Sequence, residues 1–306
     1  MTRPNKQILQ KAIMKSNKSS APVGASLVVL SSVFYASYGI WTKLMGNFFD
    51  GYVASALRSV LVIIILLPIA LLHHKLEPVI AKKNWRYIFG MFAASLFTWG
   101  PLYYAILHAG VGISLTISYA SIVLGMFFFG WLFANEKFTK EKALSACLGL
   151  AGLGLIFTPN IASLGLVALG AAFISGLSVS ATMVSSKLIK YNPTMTTIVL
   201  WTTSVAANFV MALFFSNAHP TFGVHKEWLY LLLFSAASII ASWSLIRGLK
   251  LIDAGTAGVL GLLEIVFGVL FGIIFFNESL GGLTILGIVV IITAAAIPYI
   301  SEYKSN

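Results

Sequence analysis

Residues 254–278 read AGTAGVLGLLEIVFGVLFGIIFFNE, an unbroken run of apolar and small residues with one carboxylate, Glu264, near its middle. A run of this length spans the ~30 Å hydrocarbon core of a bilayer. A charge at the centre of such a run costs roughly 2.5–3.5 kcal/mol or more, so Glu264 is expected to face a cavity or a partner rather than lipid. At ~1.5 Å rise per residue it lies roughly 14 Å from the start of its span. Gly261, Gly268 and Gly272 share its face at i−3, i+4 and i+8. That small-sided face either admits a neighbouring helix closely or leaves room for a ligand. Glu264 is therefore either a functional carboxylate or a structural one bonded to a neighbouring helix.

The composition extends this reading to the whole chain. Its 306 residues are 58% hydrophobic and 9% charged, with a mean hydropathy of +0.92. An ordinary soluble domain carries about 25% charged residues, so this is an integral membrane protein. Ten apolar segments follow one another at 23–43, 52–72, 87–107, 112–133, 142–158, 164–186, 195–215, 228–249, 255–276 and 281–300. They are too long, and alternate too little, for the strands of a transmembrane barrel; the fold class is all-α. The connections at 107–112, 158–164 and 276–281 are little more than turns, which predicts that sequential helices pack as antiparallel neighbours.

The net charge of +11 would point to nucleic acid in a soluble protein. Here membrane orientation explains it: seventeen basic residues fall on the side of the N-terminus and two, Lys43 and Lys226, on the other, with Arg58 inside a span. Positive charge collects in the cytoplasm, so both termini are expected there and the chain in a cytoplasmic (inner) membrane. Residues 1–22, with Arg3, Lys6, Lys11, Lys15 and Lys18, read as a basic cytoplasmic tail, either disordered or a short helix on anionic lipid. They lack the short apolar core and cleavage site of a signal peptide. Residues 301–306 form the second cytoplasmic tail.

The chain also compares with itself at an offset of 142 residues, best at FFFGWLFANE (127–136) against VLFGIIFFNE (269–278). Asn135-Glu136 falls on Asn277-Glu278, and five segments precede Pro159 as five follow it. An odd number of spans per repeat makes the second copy enter from the opposite side. The expected architecture is ten transmembrane helices in two inverted five-helix repeats, 23–158 and 164–300, with Glu136 inside and Glu278 outside. Inverted repeats recur in carriers that hold substrate near the midplane. The position of Glu264 in the first copy is Ile122, so the carboxylate stands outside the repeated scaffold.

These features resemble the EamA-like branch of the drug/metabolite transporter superfamily. The resemblance covers all ten segments. It rests on Ala56-Leu57-Arg58, on Leu263-Glu264, on Glu278 fourteen residues further with Ser279-Leu280 behind it, and on Gly287 nine positions on. One position departs: Ile265 stands where the family usually has Pro, and without the proline kink the segment is expected to be straighter. The resemblance implies a ten-helix carrier, commonly an exporter of amino acids or other metabolites or drugs.

Further candidates for the site follow from depth and residue type. Arg58 lies roughly 10 Å into its span, with an axial offset of ~6 Å from Glu264. The two either pair or share a water-filled cavity; alternatively Arg58 snorkels to the interface or caps loop carbonyls. Ser114, Ser118, Ser121 and Gly125 form one small polar face beside Tyr119, suited to pore lining or to close packing. Of Tyr35, Tyr38 and Trp41 in the first segment, Trp41 suits the interface belt and Tyr38 has the better claim to a cavity. Trp99, Tyr103 and Trp243 are candidates to stack on a substrate, against the alternative of lipid or core. Asn208 would bridge helices or bond substrate. The candidate substrate-binding set is Glu264, Arg58, Tyr38, Trp99, Tyr103, Ser118, Tyr119, Asn208 and Trp243.

Other chemistries find no support. A single cysteine, Cys147, excludes a disulfide framework. The five histidines, His73, His74, His108, His219 and His225, lack metal spacing, and no phosphate-binding Gly-Lys-Ser loop supplies an ATP motor. No metal, cofactor or nucleic-acid partner is expected, and the oligomeric state stays open; Gly268 and Gly272 make only a weak dimerisation signal. The reading is a secondary carrier of small molecules working by alternating access, with its cavity around Glu264. It is coupled to protons if Glu264 titrates during transport, and facilitative if Glu264 stays paired with Arg58. The alternative is a non-transporting membrane protein, a lipid-modifying enzyme or an assembly factor. An enzyme needs a convergent acid/base group, whereas Asp50, Glu77, Glu136, Glu227 and Glu278 are scattered over both sides. A midplane cavity open to one side separates the carrier from a solid bundle.

Overall fold

In hydrocarbon every backbone N–H and C=O must bond within its own segment or within a closed sheet, and the apolar segments of this chain are all helical. A computed structural model describes residues 6–77, 81–157, 165–216 and 223–304, and among these there is no strand. Arg3, Pro159, His219 and the 158–164 connection lie outside the described residues, as do the side chains of Lys6, Lys11, Lys15, Lys18, Lys82, Lys83 and Lys304. The first segment is α1 (Lys6–Ala36) and α2 (Tyr38–Met45), the second α3 (Gly51–Leu72), and the third α4 (Ala81–Leu96) and α5 (Trp99–Ala109). Then come α6 (Val111–Ala134), α7 (Lys140–Ile156), α8 (Leu166–Leu188), α9 (Pro193–Phe215) and α10 (Lys226–Leu249). The ninth segment is α11 (Ala254–Gly261) and α12 (Leu263–Phe276), and the tenth α13 (Gly282–Lys304). Among the described residues seven stretches are long and apolar enough to cross a bilayer, and Gly282–Pro298 is a shorter apolar helix.

Local sequence sets the helix ends. Asp50 accepts from Tyr52 N–H at 2.9 Å and so starts α3; Asn192 accepts from Met195 N–H at 2.8 Å, with Pro193 in the first turn of α9. These are the side chains and positions that helix N-termini prefer. Asn135 and Asn277 end α6 and α12 in the left-handed conformation, at φ 54° and 52°. Behind them Glu136 N–H reaches Gly130 O at 3.1 Å and Glu278 N–H reaches Gly272 O at 3.2 Å, a closure one residue wider than the 6→1 bond of a Schellman turn. A Cβ on Gly130 or Gly272 would collide with the carboxylate of Glu136 or Glu278, which explains why glycine recurs six residues before each glutamate.

The ninth segment is not the straight helix that Ile265 in place of proline suggested. It breaks at Leu262, where Leu262 N–H bonds Val259 O at 3.1 Å and Ile265 N–H bonds Leu262 O at 3.0 Å. These bonds span three residues instead of four, a local tightening of the helix. Gly258 and Gly261 stand in the turn before the break, and glycine weakens a helix interior. The break leaves Glu264 in the first turn of α12, where the helix dipole favours negative charge.

Packing also departs from the order of the chain. The principal pairs are α6 on α8, α7 on α13, α1 on α10 and α3 on α9, none of them joined by a short loop, while α4 and α5 both lie on α8. A short connection fixes only where two helix ends meet; backbone approach along the helices is decided by small residues. Gly176 of α8 sits against the Ser118 carbonyl and Ser121 hydroxyl of α6. Gly152 and Gly287 bring α7 onto α13, and Gly24 and Gly248 bring α1 onto α10. The serine face of α6 is thus mainly a packing face: Ser114 and Ser121 are fully buried and bond carbonyls of their own helix.

Two substitutions in α8 test this packing. Gly176→Ala drives a methyl group into backbone atoms of α6 and should cost about 1–3 kcal/mol, lowering the melting temperature of the purified protein. Gly170→Ala meets no atom within 4 Å and should leave the melting temperature unchanged or slightly higher. Equal melting temperatures for the two variants would contradict the close contact.

Candidate functional site

The helix breaks and glycine contacts leave a space in the middle of the bundle. A cavity of about 610 Å³ lies there, walled by residues of α1 to α6 and α8 to α12. Helices α7 and α13, paired with each other, stand outside it except for Phe157 at the end of α7. Its wall is predominantly apolar, with Arg58 as its one basic side chain and Glu264 and Glu278 as its acids among the described residues.

Glu264 points into this space. Its Oε1 accepts a hydrogen bond from the Tyr119 hydroxyl at 2.7 Å, so α6 and α12 are joined across the cavity wall. An ideal Cβ on Gly261 or Gly268 meets no atom within 4 Å, and both glycines line the cavity. The small-sided face of Glu264 therefore leaves room and does not seat a helix. Gly272, further along the same face, is covered by the Glu278 carboxylate.

Arg58 shares the cavity with Glu264 but forms no ion pair with it. The ion pairs among the described residues are Lys43–Glu278, Lys142–Asp253 and Lys187–Glu136. Nor does Arg58 snorkel to an interface, since it is only 3% exposed. Its Cζ lies 5.0 Å from the Tyr38 ring centroid, 5.6 Å from Trp99, 5.5 Å from Trp201 and 4.4 Å from Phe234. Aromatic faces attract a guanidinium at these separations.

Of the remaining candidates, Tyr38, Trp99, Ser118, Tyr119 and Asn208 line the cavity. Asn208 also bridges α9 to α3 through the Ser59 hydroxyl at 3.0 Å. Tyr103 and Trp243 do not line it. Trp99 and Leu102 take the cavity side of α5; Tyr103, about 100° round from Leu102 and about 40° beyond Trp99, is 44% exposed and meets the edge of Tyr52. On α10 the lining residue is Leu245. Trp243, about 200° away from it, instead donates to the Thr194 hydroxyl at 3.2 Å and stacks under Arg247. Sequence reasoning missed Trp201, whose indole N–H donates to Ser242 at 2.9 Å and whose ring lines the cavity. The signal was present: Trp201, Ser204 and Asn208 recur at i, i+3 and i+7, one helical face, and all three line the cavity.

The two ends of the cavity differ. At one end Glu136, with Lys187 at 2.6 Å, also accepts from the backbone N–H of Ala254 at 2.8 Å, at the start of α11. Lys187 in turn donates to Ile252 O at 2.5 Å, and Lys142 pairs with Asp253. An apolar cluster that includes Val28, Met126, Val184, Leu249, Ala257 and Leu260 fills the bundle behind these groups. Lys250, beside them, donates to Ile189 O at 2.7 Å. Burial pushes its ammonium down to about 8, against the opposing pull of Glu77. At the other end Glu278 lies on the cavity wall and pairs with Lys43 at 2.8 Å, both side chains more than half exposed. The ninth segment starts against Glu136 and finishes at Glu278, so the two Asn-Glu motifs cap opposite ends of the bundle. The cavity is closed at the Glu136 end and reaches exposed side chains at the Glu278 end. Among the described residues no group of three or more His, Cys, Asp or Glu gathers to hold a metal ion.

The model of the EamA-like transporter family matches residues 22–158 and again 165–299. A Helicobacter pylori (strain J99 / ATCC 700824) protein described as an uncharacterized transporter is 22% identical over 280 residues, covering 88% of this chain and 92% of its own. A solved crystal structure of a protein with 17% sequence identity superposes with a TM-score of 0.76, over 90% of this chain and 97% of that one. That likeness concerns the fold.

The Tyr119–Glu264 bond can be measured. Tyr119→Phe removes the donor and should destabilise the protein by about 1–3 kcal/mol. In the Glu264→Leu background the same change should cost much less, because interacting side chains are not additive. Additive losses of melting temperature in the double variant would contradict the bond.

Proposed function

The chain belongs to the EamA-like transporter family, and from that premise we propose that it is a secondary carrier that exports amino acids or related small metabolites or drugs by alternating access. The observation that carries this reading is the one-ended cavity: it is closed at Glu136, reaches exposed side chains at Glu278, and is walled by helices from both halves of the chain. A solid bundle, the arrangement that would favour an assembly factor, has no such space.

In this reading the ten segments are ten transmembrane helices in two inverted repeats. The contact pattern supports it. The first segment packs on the eighth as the sixth packs on the third; the fourth packs on the sixth as the ninth packs on the first. The second meets the seventh, and the fifth meets the tenth, which is how counterparts pair across a two-fold axis. The Glu136 end carries Lys137, Lys140, Lys142, Lys187 and Lys250, so it faces the cytoplasm by the excess of positive charge. Both termini then lie in the cytoplasm of a cell with this protein in its inner membrane. The conformation described is the outward-open one, from which an exporter releases cargo.

The same Gly–Asn–Glu turn would latch each end in turn. Glu136 holds the cytoplasmic end shut through Lys187 and the start of α11; Glu278, held only by exposed Lys43, marks the open end. Removing one partner of a buried pair costs about 3–5 kcal/mol, a bias large enough to move a two-state equilibrium. Between the ends, Glu264 is the proton site of an exchange of cargo against protons.

Two experiments test this function. In inside-out vesicles an impermeant thiol reagent should label Ala257→Cys, in a Cys147→Ala background, slowly, and on the order of tenfold faster once Lys187→Ala is added. Equal labelling of Ala257→Cys from both faces in the parent protein would rule out a one-ended cavity. In proteoliposomes Glu264→Gln should abolish the dependence of flux on a pH gradient while flux down a cargo gradient persists. A retained pH-gradient dependence would sink proton coupling through Glu264.

A further inference from the structure

Arg58 has neither of the fates expected of an arginine at its depth. It is not drawn to the interface, being 3% exposed, and it has no carboxylate partner among the described residues. Its Nε is buried without a hydrogen-bond acceptor, and the Tyr38 ring, whose hydroxyl has only the Ser238 side chain beside it, has its centroid 5.0 Å from Cζ. The surrounding rings of Tyr38, Trp99, Trp201 and Phe234 attract the charge through their faces. Ring faces do not satisfy the in-plane N–H donors of a guanidinium, of which there are five. Glu264 does not supply the missing acceptor, because it forms no ion pair with Arg58. A buried, uncompensated charge destabilises a protein, so its retention needs an anion that is not part of the chain.

We propose that Arg58 and Tyr38 form the anion subsite of the cavity, and that the cargo docks there through a carboxylate, with its apolar body against the aromatic wall. The inference rests on the carrier reading. A fork of parallel N–H donors matches the two oxygens of a carboxylate, and the Tyr38 hydroxyl adds a further donor. The charge state follows from the wall. Among the described residues Arg58 is the one basic residue that lines the cavity, on a wall that also carries the acids Glu264 and Glu278, so a single carboxylate suits it better than the two charges of a phosphate monoester. Amphipathic cations without a carboxylate leave the subsite unfilled and are not cargo.

The test uses the purified full chain and three apolar amino acids, leucine, methionine and phenylalanine, each beside its amide and its deaminated acid. The amide keeps the apolar body and loses the carboxylate; the deaminated acid keeps the carboxylate and loses the ammonium. At least one carboxylate-bearing probe should bind, measured by calorimetry, and its amide should bind at least about tenfold more weakly. Arg58→Leu should abolish this binding, and Arg58→Lys, which keeps the charge and loses the fork, should weaken it. Without ligand, Arg58→Leu should melt at the same temperature as the parent or higher, because an arginine kept for a ligand adds no stability of its own. Three results overturn the proposal: amides that bind as tightly as acids, no binding by any carboxylate-bearing probe, or an Arg58→Leu protein that melts markedly lower without ligand. None of these touches the sidedness of Ala257→Cys labelling, so failure of the subsite and failure of the carrier reading are separable.

Discussion

Hydrocarbon offers no water to a charged side chain, and this bundle holds Arg58 and Glu264 deep within its apolar segments. That constraint organises the interior. Both groups line one cavity, and each has a specific environment: Tyr119 bonds Glu264, and four aromatic rings surround Arg58. Keeping them apart requires an interior that side chains do not fill. Gly261 and Gly268 keep it empty beside Glu264, while the tight contacts that stabilise the bundle are placed at its periphery, at Gly176, Gly152, Gly287, Gly24 and Gly248. Glycine thus serves opposite ends in one molecule, approach where a neighbouring backbone lies against it and space where none does.

The two Asn-Glu turns show one local motif in two environments. Both have a left-handed asparagine, a closing bond to a glycine carbonyl, and a glutamate folded over that glycine. The difference is the environment. Glu136 is largely shielded, with Lys187 and the first N–H of α11 converging on it, whereas Glu278 and Lys43 meet in the open. Local sequence shapes the turn identically; what surrounds it decides whether it closes an end. In the proposed carrier such a pair would serve as the bistable contact that converts small shifts into alternate access.

The sequence made the membrane class, the limits of most segments and the depth of Glu264 and Arg58 legible, because each depends on nearby residues alone: apolar length, capping side chains and position within a run. It also picked out the two Asn-Glu pairs as a repeated element, whose left-handed cap and accommodating glycine the structure places within seven residues. It read less well where azimuth mattered. Tyr103 and Trp243 sit on helices that line the cavity but point away from it, and Trp201 points in. A rotation of 100° between successive residues decides inside from outside, and without a known neighbour a uniformly apolar helix has no marked face.

Which helices meet, and whether Arg58 and Glu264 pair, were decided by the tertiary structure alone. Short loops suggested sequential neighbours, yet the closest pairs join helices far apart in the chain, because small residues on matching faces control backbone approach. An axial offset of ~6 Å allowed an ion pair, yet in the packed bundle none forms between them. The sequence of a membrane protein determines how deep each side chain lies, since depth follows from counting residues along a helix. Only the packed bundle decides what lies beside it at that depth, because lateral position depends on contacts between residues that the chain order does not relate.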